Sequence, residues 1–192
     1  MAIEFELKYR ATEEALSAMD AAFPEAPTTY RMETTYYDTP DRALSARHIT
    51  LRRRMENEES ICALKAPADL GRAEFEIPCD AIEAAIPELC KLSGIPELPA
   101  LLEKGVEPVC GAKFTRIART VTVQGTTLEV ALDQGVLLGG GKSQPLCEAE
   151  VELKSGDPQL AAAYSARLAI AFGLTRETAS KFKRAFALSQ EG

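Results

Sequence analysis

Residues 3–10 read Ile-Glu-Phe-Glu-Leu-Lys-Tyr-Arg, an alternation that an extended strand sorts onto two faces. Ile3, Phe5, Leu7 and Tyr9 fall on one side, and Glu4, Glu6, Lys8 and Arg10 on the other. The pattern returns with its charges in phase at Arg52 and Arg54, at Lys65, at Arg72, Glu74 and Glu76, at Glu129 and Asp133, and at Glu148, Glu150, Glu152 and Lys154. A plain surface gains nothing from the row Glu148/Glu150/Glu152, because neighbouring like charges repel. Buried charge is tolerated only when paired or bound to ions. The pattern therefore implies a sheet curled into a barrel, with helices outside on its apolar face and a charged lumen. In such a lumen, carboxylates hold divalent cations and bases grip a polyanion.

Four amphipathic stretches supply the helices: about 12–23 with Thr12 as N-cap, 81–92, 99–104, and Asp157 to about Gly173. Further strands are predicted near 29–38, 49–55, 60–66, 72–77, 109–123, 128–133 and 148–154, with a hairpin turn at Gln124-Gly125-Thr126. Gly139–Gly141 reads as a flexible loop tip, and Tyr36 and Tyr37 as packing residues. Arg53 points away from Arg52 and Arg54, and Arg119, out of phase with Arg116, is expected outside the lumen. For Lys183 and Arg184, a contact at the lumen mouth and a solvated helix face both stand open. The 192 residues fit one α+β domain, 1–192. A net charge of −7 argues against nucleic-acid binding. No apolar run reaches a membrane span and no signal-like segment opens the chain, so a cytoplasmic protein without a membrane partner is expected. Five cysteines without a CxxC read as reduced. With His48 the one histidine, any metal should be hard and oxygen-bound, magnesium or manganese.

Glu4-x-Glu6-x-Lys8 resembles the ExExK signature of the CYTH superfamily, the triphosphate tunnel metalloenzymes. Further segments follow in the family's order: Tyr36-Tyr37-Asp38-Thr39-Pro40 with Leu44, Leu51-Arg52-x-Arg54, Leu64-Lys65, Arg72-x-Glu74-x-Glu76, Leu132-Asp133-x-Gly135, Glu148-x-Glu150-x-Glu152 and Ser180-Lys181. The resemblance implies an eight-stranded antiparallel barrel, a tunnel binding triphosphates with magnesium or manganese. It implies Glu4, Glu6, Asp133, Glu150 and a neighbour from Glu148 or Glu152 as metal ligands. Lys8, Arg52, Arg54, Lys65, Arg116 and Lys181 would hold phosphates, with Lys65 also a candidate to activate water and Glu6 the acid on which the metal site depends. Glu129 stands open as a direct or supporting ligand.

Within the superfamily, the segments around Glu129–Gly135 and Pro145–Asp157 most resemble bacterial inorganic triphosphatases, many of which continue into a histidine-rich helical CHAD domain. Tripolyphosphate cleavage to pyrophosphate and phosphate is the expected activity, by a monomer or homodimer. A class IV adenylate cyclase, a thiamine triphosphatase and a non-catalytic polyphosphate-binding module are the alternatives. Without tryptophan, the chain lacks the most natural stacking platform for a thiazolium ring.

Overall fold

The computed structural model describes residues 5–68 and 71–190. Among the described residues, nine strands form one antiparallel sheet: β1 (Glu6–Arg10), β2 (Thr28–Asp38), β3 (Thr50–Glu56), β4 (Glu59–Ala68), β5 (Gly71–Pro78), β6 (Glu107–Val123), β7 (Thr126–Gly139), β8 (Lys142–Ser155) and β9 (Thr175–Glu177). Their order is β5-β4-β3-β2-β6-β7-β8-β1-β9. The expectation was eight strands. The ninth, β9, spans three residues, too few for an alternation to be legible in sequence.

The alternation sorts the strands as expected. Apolar side chains of β3 and β4 (Leu51, Cys62, Leu64) pack beneath α2 (Ile82–Ser93) and α3 (Leu98–Leu102). Those of β7 and β8 (Leu128, Val130, Leu132, Ala149, Val151) pack beneath α1 (Glu13–Ala22) and α4 (Pro158–Phe172). Thr12 caps α1 by accepting from the Ala15 N–H at 3.1 Å, and Asp157 caps α4 by accepting from the Gln159 N–H at 2.8 Å. Arg119 lies outside the lumen, as its phase predicts, with Nε donating to the Glu25 carbonyl at 3.0 Å.

The fifth helix, α5 (Lys181–Gln190), behaves differently from the other four. It packs against Met32, Tyr36, Ala112, Phe114, Leu137 and Leu146 through Phe182, Ala185 and Phe186. These strand residues share the parity of the charged lumen residues, so α5 sits on the inner face of the curl and fills one end. Gly139, expected in a loop tip, is instead where α5 presses on the sheet: a Cβ there would meet the Ala185 carbonyl oxygen at 2.2 Å.

Candidate active site

A cavity of about 550 Å³ lies on the concave face, lined from each of β1–β8 and by Ser180–Phe182. That eight neighbouring strands reach one cavity is the geometric sign of the curl. Of the predicted residues, Glu6, Lys8, Arg52, Arg54, Lys65, Arg116, Glu150, Glu152 and Lys181 line it, together with Glu129. Glu4 lies outside the described residues. Asp133 and Glu148 are fully buried behind the lining, against Arg116 and Lys181.

One wall is basic. Arg52 stands directly across from Ala63, and Thr50 from Lys65, so β3 and β4 present Arg52, Arg54 and Lys65 together. The carboxylates of β5 tie this wall together. Glu74 accepts from Arg52 at 2.8 Å and pairs with Lys65 at 3.0 Å, while Glu76 lies 3.4 Å from Arg52 and 3.5 Å from Arg54. Burial and then the charge of Arg52 pull the Arg54 guanidinium below its usual pKa, against the support of Glu56 and Glu76. Glu74 and Glu76 carry no assigned role in the sequence reading. Their phase with Arg72 marked them as lumen-facing, but their partners depend on strand register.

The opposite wall is acidic. Glu129 on β7 pairs in register with Glu152 on β8, and Glu152 with Glu6 on β1, setting three carboxylates abreast on one rung. Like charges directly opposite destabilise a sheet unless cations intervene. Lys154 lies 2.8 Å from Glu152 and 3.7 Å from Glu129, and Lys8 lies 3.3 Å from Glu6.

At the end filled by α5, a second acidic group comprises Asp133, Glu148 and Glu150, whose ligand oxygens lie within 4.8 Å of one another and could hold a metal ion. Three cations answer these three carboxylates. Arg116 forms a fork on Asp133 at 2.7 and 2.7 Å and reaches Glu150. Lys181 contacts Asp133 at 2.8 Å, Glu150 at 2.7 Å and also Glu148. Arg184 donates to Glu148, so neither a solvated helix face nor a mouth contact describes it. Burial raises the Glu150 carboxyl, but Lys181 and Arg116 outweigh it and hold that group well below the usual range. For Glu148, burial wins against Lys181, with the charge of Glu150 adding to it, and the carboxyl is pushed up to about 7.

Tyr30, Met32, Tyr36 and Phe114 add an apolar cheek on β2 and β6. Tyr37, one residue on from Tyr36, packs outward beneath the helices as expected. The buried thiols are inert: burial pushes Cys62 up to about 11 and Cys110 up to about 12. Among the described residues, no helix is long and apolar enough to cross a membrane.

The CYTH domain model matches residues 2–186 of this chain. An inorganic triphosphatase of Haemophilus influenzae is 32% identical over 162 residues, 82% of this chain and 46% of that protein, so the chain spans about half the length of this curated relative. Among solved structures, a candidate adenylyl cyclase from Hippeastrum, described as having a dominant triphosphatase activity, superposes with a TM-score of 0.70 at 19% identity, covering 97% of this chain and 96% of that one. A protein of Pyrococcus horikoshii OT3 gives 0.63 at 21% identity, over 96% and 99%. At these identities the two structures speak for the fold alone.

Proposed function

This chain belongs to the CYTH domain family, and we propose that it is a divalent-metal-dependent hydrolase that cleaves inorganic tripolyphosphate to pyrophosphate and phosphate. One observation carries the reading: a wall of Arg52, Arg54 and Lys65 and a rung of Glu6, Glu152 and Glu129 share one cavity although β2 and β6 separate their strand groups in the sheet. A polyanion alone would call for the first and be repelled by the second. A polyanion carrying a divalent cation uses both. The triphosphatase name of the Haemophilus influenzae relative supports the same substrate class.

The metal fits the rung on chemical grounds. Its carboxylates are hard oxygen donors of the kind magnesium and manganese prefer, and Glu129, Glu152 and Glu6 stand abreast on neighbouring strands. Glu6, Glu129 and Glu152, with Glu150 beside them and Glu4 from the same motif, would hold the ion. When bound, it supplies Lewis-acid stabilisation of charge building on phosphoryl oxygens. Asp133 and Glu148 take a different part, orienting Arg116 and Lys181, since the inner acidic group already meets an equal number of cations.

The chain's own side chains do the rest. Guanidinium forks of Arg52 and Arg54 match phosphate oxygens in pairs, and Arg116, Lys8 and Lys181 add positive charge. Lys65, held by Glu74, orients the attacking water. That water displaces pyrophosphate in line from the terminal phosphorus: one P–O bond forms, the bridging P–O bond breaks, and the water's proton passes to solvent or product. Absence of free histidine chemistry is no obstacle, because positioning and charge stabilisation carry this reaction. The five cysteines, free among the described residues, suit a cytoplasmic setting.

Phosphate release from tripolyphosphate, ATP and thiamine triphosphate, with magnesium or manganese, tests the reading in wild type and Glu6→Ala. Metal-dependent cleavage of tripolyphosphate, lost by at least a hundredfold in the variant (about 3 kcal/mol of transition-state stabilisation), is expected. Turnover confined to ATP with cyclic AMP as product, or confined to thiamine triphosphate, would overturn the substrate. Binding of polyphosphate without release under either metal would make the domain a binder.

A further inference from the structure

Arg72 stands at the start of β5, the outermost strand of the sheet, which among the described residues pairs on one side alone, with β4. Its neighbour across that ladder is Pro67, which has no N–H to give, so the β4–β5 pairing is weak where β5 begins. Two residues on, Glu74 stands directly across from Lys65, holds its ammonium at 3.0 Å and also takes Arg52 at 2.8 Å. Segments with few partners open first. Glu74 keeps its place only if something besides the ladder holds this end of β5.

Arg72 supplies that hold. Its Nη2 reaches over β4 and donates to the Lys65 carbonyl at 3.1 Å, to the Thr50 hydroxyl of β3 at 3.2 Å and to the His48 carbonyl ahead of β3 at 2.9 Å. One guanidinium thus joins β5 to both strands that carry the basic wall. His48 sits at φ +57°, a left-handed backbone that persists in a non-glycine residue only where its surroundings hold it. Arginine suits the task because its rigid planar head bonds several fixed oxygens with little freedom lost.

Resting on the triphosphate reading of the cavity, we propose that Arg72 is a positioning residue for Lys65: it pins the start of β5 across β4 onto β3, which keeps Glu74 on the Lys65 ammonium and Lys65 in place to orient the attacking water. Arg72 acts through the fold, so it governs the rate of cleavage and leaves the grip on the triphosphate to the other cations.

Arg72→Gln and Glu74→Gln are compared singly and together, with Arg72→Lys as the variant that keeps the charge without the fork and carries the test should Arg72→Gln fail to fold. The readouts are the thermal midpoint, the affinity for tripolyphosphate in EDTA by calorimetry, and kcat with metal at saturation. Both Arg72 variants are expected to bind tripolyphosphate no more weakly than wild type and to lose kcat by about tenfold to a hundredfold, the scale of a displaced catalytic group. Because Arg72 acts through Glu74, the double variant should lose no more kcat than the worse single one. Wild-type kcat in the Arg72 variants would overturn the proposal, with or without a lowered midpoint. Weakened affinity in Arg72→Gln that Arg72→Lys restores would make Arg72 a phosphate contact and overturn it too, as would losses that multiply in the double variant. A wild type that cleaves no tripolyphosphate would overturn the reading of the cavity, and the proposal with it.

Discussion

Arg184 lies three residues past Lys181 on a helix that sequence alone left between a solvated face and a tunnel mouth. Its guanidinium donates to Glu148, which has no exposed surface, so removing it leaves a buried carboxylate with one partner fewer. Breaking a buried pair on one side costs about 3–5 kcal/mol. Arg184→Met should therefore destabilise the protein by that order in urea melts, and adding Glu148→Gln should recover part of the loss. Residue types in their phase were legible: the lumen-facing identity of Glu6, Lys8, Arg52, Arg54, Lys65, Arg116, Glu150 and Glu152 followed from alternation, because period two is a property of one strand. Which acid meets which base was not legible. That Arg116 forks onto Asp133, or that Glu129, Glu152 and Glu6 share a rung, depends on register between strands distant in the chain.

Element by element, the four outer helices were announced by their amphipathic stretches, two of them with caps at Thr12 and Asp157, while the seat of α5 was left open. Lys181 was expected in the lumen and Lys183 and Arg184 stood open between a mouth contact and a solvated face; the helix that carries them sits on the inner face of the sheet. The fit is made possible by Gly139, where β7 and the α5 backbone approach too closely for a side chain. Gly139→Ala should cost about 1–3 kcal/mol by overpacking and lower tripolyphosphate affinity, because Lys181 moves with the helix. Gly141→Ala is the comparison. Nothing lies within 4 Å of its Cβ, and its φ of +74° carries only left-handed strain of about 1–2 kcal/mol, with affinity unchanged. Paired melts and tripolyphosphate titrations of the two variants separate a displaced α5 from a strained hairpin.

Across the whole molecule, Glu177 fastens β9, the last strand in the chain, to β1, the first. Its carboxylate takes Arg10 of β1 at 2.8 Å and the Ala179 N–H at 2.7 Å, with Arg184 of α5 at 3.8 Å. Burial raises this carboxyl, but the Ala179 N–H and the charges of Arg184 and Arg10 prevail and hold it below its ordinary value of 4.5. The unfolded chain then binds the proton more readily than the folded one, so stability is present above about pH 4.5 and drains away as pH falls through the folded-state value. Glu177→Gln should flatten that acid limb in thermal midpoints measured from pH 6 downward. An acid limb identical to wild type would mean that Glu177 carries none of it. By itself, the sequence determined the strands, the outer helices and the two-faced character of the sheet, because those follow from the periodicity of side chains along a local backbone. The tertiary structure alone decided the ninth strand, the helix inside the curl and the pairing of every lumen charge, because those rest on register and curvature, which belong to contacts between distant segments and leave no local trace.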